Sequence, residues 1–197
     1  MMIFMLVVLI IWIYVLSVMK RGRLTFWYFL TGSVGLFLFM IVFVQDPMTP
    51  VLSHAVTMAA GIVGKLTGTF YSYYQYSLLF VNHGTETITL VIDYECSGVI
   101  EMMAYLALLV FFPVYNIIEK FVTGAFGILW IFVSNVLRIV IIAFMVHFGG
   151  NDIFFLAHAV VGRLVFYALT ITLYFYVFTR SQIIRQKVGA FKYTRET

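Results

Sequence analysis

Long apolar blocks with very few charges constrain this chain more than any other feature of its sequence. Five blocks lie at residues 2–19, 24–44, 97–118, 121–146 and 153–178. About 20 apolar residues are enough to cross the hydrocarbon core of a bilayer as one helix. Only 10% of the residues are charged, whereas a soluble domain carries about 25%, so a soluble globule is excluded. The sequence predicts an all-α polytopic membrane protein, a bundle of about five transmembrane helices.

The basic residues predict how this bundle is oriented. Of the 12 Lys and Arg residues, nine lie in the loop after the first block, at Lys120 or in the tail at residues 179–197, whereas the opposite side holds only Lys65. Cytoplasmic loops carry the excess of basic residues, so we expect a cytoplasmic tail and an external amino terminus. Basic residues follow the first block instead of preceding it, so a cleaved signal peptide is not expected. The net charge of +4 is therefore explained by basic residues at the surface of the lipid bilayer, and no nucleic acid partner is expected.

The segment at about residues 46–95 is predicted to be a small extracytoplasmic insertion. Its first half, residues 50–69, has small and apolar residues at helical spacing, which predicts an amphipathic or partly embedded helix. Its second half alternates at residues 76–81 and 85–93 around the turn Asn82-His83-Gly84, which predicts a β-hairpin. We therefore expect one membrane domain over residues 1–197.

Three charged residues fall inside the predicted spans, namely Glu101, Arg138 and Arg163. A charge in the hydrocarbon core costs at least about 2.5 kcal/mol, so such residues usually face the protein interior and mark function. One interpretation is that an arginine pairs with Glu101 and fixes helix packing. Ser134 and Asn135 lie four and three residues before Arg138, on the same helix face. This polar stripe predicts that the fourth helix lines a site.

The single cysteine, Cys96, excludes an intrachain disulfide and a Cys-rich metal cluster. It lies at the start of the third block, where a helix amino terminus would favour the thiolate. His158, five residues into the last block, can act as an acid or base near neutral pH. Arg138 and His158 lie about 12 Å and 8 Å from the outer ends of their spans at 1.5 Å per residue. We therefore expect Cys96, Arg138 and His158 to meet in the outer half of the bundle.

Three short motifs resemble those of the exosortase and archaeosortase family. They are the run Glu95-Cys96-Ser97-Gly98, the run Ser-Asn-Val-Leu-Arg-Ile at residues 134–139, and His158 followed by Gly162. The resemblance covers residues 85–178, and the chain is most similar to the compact branch from Gram-positive bacteria. It departs from longer members in lacking additional amino-terminal spans and a fused soluble domain.

This resemblance implies a membrane-embedded, sortase-like cysteine transpeptidase or peptidase. Its substrate would be a secreted protein with a carboxy-terminal sorting signal, processed at the outer face of the prokaryotic cytoplasmic membrane. It implies Cys96 as the nucleophile, His158 as the acid and base, and Arg138 as the cation that supports the thiolate or the oxyanion. Arg163 is a second candidate for the cationic role. The acceptor of the transferred chain, the substrate protein and the oligomeric state are left open.

Other functions are compatible with the same residues. In a non-enzymatic subunit of a transport or polysaccharide-export system, Glu101, Arg138 and Arg163 would line a path. In a serine protease, Ser97 or Ser134 would act with His158. No cofactor is expected, and no metal site either, because His147, Asp152 and His158 lack a recognisable ligand spacing.

Overall fold

A computed structural model of the chain describes residues 2–84 and 86–183, with side chains from residue 7 onward. The protein is a mainly α-helical, polytopic membrane protein that carries a small antiparallel sheet. Three helices precede the sheet: α1 (Met2–Arg21), α2 (Thr25–Phe43) and α3 (Gln45–Thr67). The strands are β1 (Phe70–Tyr73), β2 (Leu78–His83) and β3 (Glu86–Val91). The remaining helices are α4 (Tyr94–Ser97), α5 (Val99–Phe111), α6 (Ile117–Gly149) and the last helix, Asn151–Ile183.

The described residues contain three helices that are long and apolar enough to cross a membrane. These are α2, with 19 residues, and α6 and the last helix, with 33 residues each. The first predicted span is also helical, because α1 is an apolar helix of 20 residues. The third predicted span, at residues 97–118, is wrong in length. Helix α5 has 13 residues, or about 20 Å, which is less than the hydrocarbon core of about 30 Å.

The short length of α5 has a backbone cause at each end. Gly98, which precedes it, has a left-handed conformation with φ of 76°, and this interrupts the helical path from α4. At the other end, Phe112 is extended because the residue before a proline disfavours the α conformation. Pro113 therefore ends the helix, whereas the sequence predicted a kink within a longer one.

Small residues bring the amino-terminal helices together. The Trp12 indole of α1 donates a hydrogen bond to the Thr31 carbonyl oxygen of α2 (3.0 Å), and a side chain at Gly35 would overlap the Trp12 ring. One turn earlier on α2, a side chain at Gly32 would overlap the Phe111 ring of α5. Such close approach is how helices pack in a bilayer, where apolar burial alone gives no driving force.

The predicted β-hairpin is confirmed, with strands at Leu78–His83 and Glu86–Val91. The structure adds a third strand, β1, and the strand order is β1-β2-β3. The four residues of β1 are too few to show a clear alternation, so the sequence did not reveal this strand. The predicted helix at residues 50–69 is present but longer, because α3 begins at Gln45 directly after α2.

Helix α3 and helix α6 hold the sheet from two sides. Gly64 of α3 lies against the Phe70 backbone and ring in β1. At the same end of the sheet, next to the hairpin turn, His83 Nδ1 is hydrogen-bonded to the His147 carbonyl oxygen of α6 (2.8 Å). His147 Nδ1 is in turn hydrogen-bonded to the Asn82 carbonyl oxygen. These reciprocal bonds give two histidines a structural role that the sequence did not indicate.

Two of the sequence predictions concern the carboxy-terminal tail and its side of the membrane. Most of the predicted cytoplasmic tail, residues 184–197, lies outside the described residues, and the helix continues through residues 179–183. The orientation inferred from the basic residues stays a prediction.

The packing of α3 on the sheet predicts a strong effect of Gly64→Ala. A methyl group at this position would overlap the Phe70 carbonyl oxygen, which is backbone and cannot rotate away. Overpacking of this kind costs about 1–3 kcal/mol, so the thermal unfolding temperature in detergent, followed by intrinsic fluorescence, should fall. Gly124→Ala in α6 is the matched control, because its nearest neighbour is the end of the Leu109 side chain at 3.4 Å. Equal unfolding temperatures for the two variants would contradict the proposed packing.

Candidate active site

The short helix α4 carries Cys96 in the interior of the protein. Asp93 caps this helix, and its Oδ1 accepts hydrogen bonds from the backbone N–H groups of Glu95 (3.1 Å) and Cys96 (3.3 Å). The Ser97 hydroxyl donates to the Tyr94 carbonyl oxygen (3.0 Å). Cys96 is only 2% exposed. The turn thus fixes a cysteine that is almost completely removed from solvent.

Asn135 of α6 ties the backbone of this turn to the bundle. Its Nδ2 donates a hydrogen bond to the Cys96 carbonyl oxygen (2.6 Å), and its side chain is fully buried. A Cβ atom at Gly98 would lie 3.4 Å from the same Nδ2. Glycine at position 98 therefore serves both the left-handed turn and the close approach of α6. The sequence placed Asn135 on the polar stripe but did not reveal this contact.

Arg138, one helical turn further along α6, reaches the cysteine itself. Its Nη2 is 4.0 Å from Cys96 Sγ, and its Nη1 donates to the Glu95 carbonyl oxygen (3.3 Å). The Phe166 ring of the last helix lies 5.7 Å from the guanidinium carbon. Arg138 is 4% exposed, and its Nε has no hydrogen-bond partner. A buried cation is thus held against the only thiol of the chain.

His158 lies on the last helix, in the π-helical turn Leu156–Val161. Turns of this type are frequent at functional sites. Its ring packs against Phe154, with ring centres 5.6 Å apart. His158 and Cys96 line one cavity of about 230 Å³. The other residues that line it are Thr89, Leu90, Val91, Ile92, Ile139, Ile142 and Phe154.

A second cavity, of about 250 Å³, is lined by Arg138 and by the three charged residues Glu95, Glu101 and Arg163. Arg163 forms an ion pair with Glu95 (3.7 Å), and both side chains are about half exposed. Among the described residues, Glu101 forms no ion pair within 4.0 Å. The helix-packing pair with Glu101 that the sequence allowed is therefore not formed, because Arg163 binds Glu95 and Arg138 binds the α4 turn.

The acidity of Cys96 differs from the sequence prediction. Burial raises the pKa of the Cys96 thiol to about 11, although the Arg138 guanidinium opposes this change. The predicted thiolate at a helix amino terminus is wrong, because α4 has only four residues and the Cys96 N–H is bonded to Asp93. At pH 7 the Cys96 thiol is therefore protonated in the resting protein.

The two serines considered from the sequence do not line the cavity of Cys96 and His158. Ser97 donates to Tyr94, and the Ser134 hydroxyl donates to the Trp130 carbonyl oxygen (2.7 Å). Both serines are buried. Within residues 2–84 and 86–183, no group of three or more His, Cys, Asp or Glu side chains is arranged to hold a metal ion. Of the three residues that the sequence indicated, Arg138 lies 4.0 Å from Cys96 Sγ, and His158 lines a cavity with Cys96.

The chain is similar to one known family of membrane proteins. The family model for transmembrane exosortases matches residues 1–176. Comparison with curated proteins and with solved structures finds no match. The matched region includes α4, α6 and His158, and it covers most of the 197 residues. The chain belongs to the transmembrane exosortase family.

Proposed function

We propose that the protein is a cysteine peptidase or transpeptidase that cleaves secreted proteins near a carboxy-terminal sorting signal. The observation that carries this proposal is the position of Cys96, whose Sγ lies 4.0 Å from Arg138 Nη2 and which lines one cavity with His158. A thiol, a titratable imidazole and a fixed cation are the groups that acyl transfer through a thioester requires. Their origin in three different helices is typical of a site built within a bundle.

In the first step, Cys96 Sγ attacks the carbonyl carbon of the scissile peptide bond. Since the resting thiol is protonated, its proton must leave as the C–S bond forms, and His158 accepts it. The negative charge that develops on the carbonyl oxygen is stabilised by Arg138. A fixed cation aimed at developing charge in a site that excludes water can supply several kcal/mol.

The intermediate then collapses to a thioester. The C–N bond breaks, and His158 gives its proton to the departing amine, so that the imidazole is neutral again. An acceptor nucleophile, which is an amine, a hydroxyl or water, attacks the thioester carbon and loses its proton to His158. The C–S bond breaks, and the proton returns to Cys96 as the thiol. The nucleophile that attacks decides whether the reaction is transfer or hydrolysis.

The orientation inferred from the basic residues places this chemistry at the outer face of the cytoplasmic membrane. With the tail inside, the sheet and α4 lie on the extracytoplasmic side. A secreted protein that is still anchored by a carboxy-terminal apolar span would present the adjoining segment at this level.

Cys96→Ser and Cys96→Ala should abolish processing and leave membrane accumulation intact, because each removes the nucleophile without altering a span. The substrate to co-express is a secreted candidate with a carboxy-terminal apolar span and a basic end. Its intact mass reports a new carboxy terminus, and a mass increment there distinguishes transfer from hydrolysis. Ser97→Ala is the matched control, since Ser97 neighbours Cys96 but bonds only within α4 and at the start of α5. Wild-type processing by either Cys96 variant would contradict the cysteine mechanism and would favour the function of a non-enzymatic membrane subunit.

His158→Ala should lower the processing rate at least about 100-fold, as expected for loss of a general acid or base. His54→Ala is the control, because His54 lies on an exposed part of α3. His83 and His147 are poorer controls, since both anchor the sheet. The measurement is the time course of the new carboxy terminus at equal amounts of membrane-inserted protein. A rate for His158→Ala within threefold of wild type would remove His158 from the mechanism.

Arg138→Lys should also fail or nearly fail, although the positive charge is kept. A compact ammonium cannot bond to both Glu95 and the thiol as the planar guanidinium does. If Arg138 only balanced Glu101 in the membrane, the lysine variant would be active, and the double change Arg138→Ala with Glu101→Ala would restore function. We expect the double variant to accumulate in the membrane and to remain inactive.

The pH dependence of Cys96 alkylation provides a second measurement on Arg138. Alkylation by a small membrane-permeant reagent should accelerate with rising pH up to about pH 11, because burial keeps the Cys96 thiol neutral below its pKa. Arg138→Gln should slow alkylation at every pH below this value, since loss of the nearby cation raises the thiol pKa further. An unchanged profile together with an active lysine variant would assign Arg138 to helix packing.

A further inference from the structure

We propose, building on the peptidase function above, that the free edge of β3 binds the substrate polypeptide as an added strand and leads it to Cys96. The sheet has three strands in the order β1-β2-β3, so β3 is an edge strand. Within the described part of the chain, its outer side pairs with no further strand. A row of unpaired backbone donors and acceptors is what β-strand addition uses.

The register shows which backbone groups of β3 are available. Just beyond the strand, the Ile92 N–H donates to the Ser77 carbonyl oxygen (2.9 Å), which makes these two a hydrogen-bonded pair. Such pairs alternate along an antiparallel ladder. Leu90, opposite Leu79, therefore also bonds toward β2. The backbone groups of Thr87, Thr89 and Val91 point away from β2, toward the free edge.

This edge opens onto the candidate active site. Residues 89–92 form one wall of the cavity that contains Cys96, and Phe154 and His158 of the last helix form another. An extended chain that pairs with Thr89 and Val91 would thus lie between the sheet and the imidazole. Cys96 follows Val91 by only five residues, across the turn that Asp93 caps.

The side chains of β3 suit this use as well. Leu90 and Ile92 are buried in the core, whereas Val91 is 63% exposed. Edge strands are commonly protected by lysine, proline or a bulge. The three residues whose backbone faces outward here are Thr, Thr and Val, and no protecting residue interrupts them.

The chemistry of cleavage requires an extended substrate. In a helix, backbone carbonyl groups are bonded within the segment and covered by side chains, so a thiol cannot approach the carbonyl carbon. A substrate strand at the β3 edge would direct alternate carbonyl groups toward the protein. The backbone of β3 would supply hydrogen-bond partners for the peptide groups of the substrate in these partly apolar surroundings. The ligand class is therefore an extended polypeptide that is recognised through its main chain.

The first test uses peptide probes on the full-length protein in detergent. The probes are acetylated alanine peptides of one to four residues that end in a chloromethyl ketone, which forms a C–S bond with Cys96 and releases chloride. Intact mass gives the rate, and iodoacetamide gives the reference rate for thiol reactivity. We expect the rate to rise about two- to tenfold for each added pair of residues, the size of one net hydrogen bond. N-methylation should remove this gain at alternate positions only.

A variant of β3 tests whether the backbone N–H groups of the protein contribute to peptide binding. Thr89→Pro removes an N–H that faces the free edge and leaves the bonds to β2 in place, so the peptides should lose their advantage over iodoacetamide. Thr87→Pro is the matched control, because the N–H of Thr87 points to the same free edge by the same alternation, whereas Thr87 does not line the cavity that contains Cys96. Its rates should keep the dependence on peptide length. If Thr89→Pro fails to fold, the alternating N-methyl pattern on the wild-type protein decides alone.

The outcomes separate this inference from the proposed function. Rates that are independent of peptide length, or equal losses at every N-methylated position, would overturn strand addition. The peptidase function would still stand if Cys96→Ser abolished processing of the co-expressed protein. If Cys96→Ser processed that protein normally, the peptidase function would fail whatever the peptides did.

Discussion

The burial of Arg138 is the constraint on which the rest of the arrangement depends. A guanidinium in the interior of a membrane bundle must find compensating groups from the protein. Arg138 finds them in the Glu95 carbonyl oxygen, the Cys96 sulfur and the Phe166 ring. These partners belong to α4 and to the last helix, so the cation draws both against α6. The α4 turn is thereby held within the bundle, directly before the short helix α5, which Gly98 and Pro113 delimit.

The Cys96 thiol is protonated at neutral pH, and this follows from burial in the same region. Removing Cys96 from water raises its pKa, and a single partly hydrogen-bonded arginine does not reverse the effect. A thiol in this state gains reactivity only when a base removes its proton as the substrate carbonyl arrives. In the proposed reaction, this state favours attack on a bound peptide over reaction with water-borne electrophiles, since His158 would take the proton only as a carbonyl group reaches Cys96.

The sequence predicted the parts of this protein that depend on local patterns. Apolar block length predicted the helices, alternation around Asn82-His83-Gly84 predicted the hairpin, and the rarity of charge within the blocks singled out Arg138. It missed what depends on contacts between distant segments. Strand β1 is recognisable only through its pairing with β2, and the two histidines at the sheet end are explained only by the meeting of β2 with α6. The acidity of Cys96 also required the structure, because burial cannot be inferred from a position near the start of a block.

The small sheet solves a problem that a purely helical bundle would leave open. A peptide bond is cleaved in an extended chain, but an extended chain near the bilayer exposes N–H and C=O groups that apolar surroundings do not satisfy. Helices use their own backbone groups internally and can offer a substrate only side chains. A strand edge offers backbone groups in the alternating register that an extended chain needs. Because β3 runs directly into the turn that carries Cys96, the strand proposed to bind the substrate backbone also leads to the proposed nucleophile. The fixed distance between the β3 edge and Cys96 Sγ would determine which carbonyl carbon of the bound polypeptide the sulfur attacks.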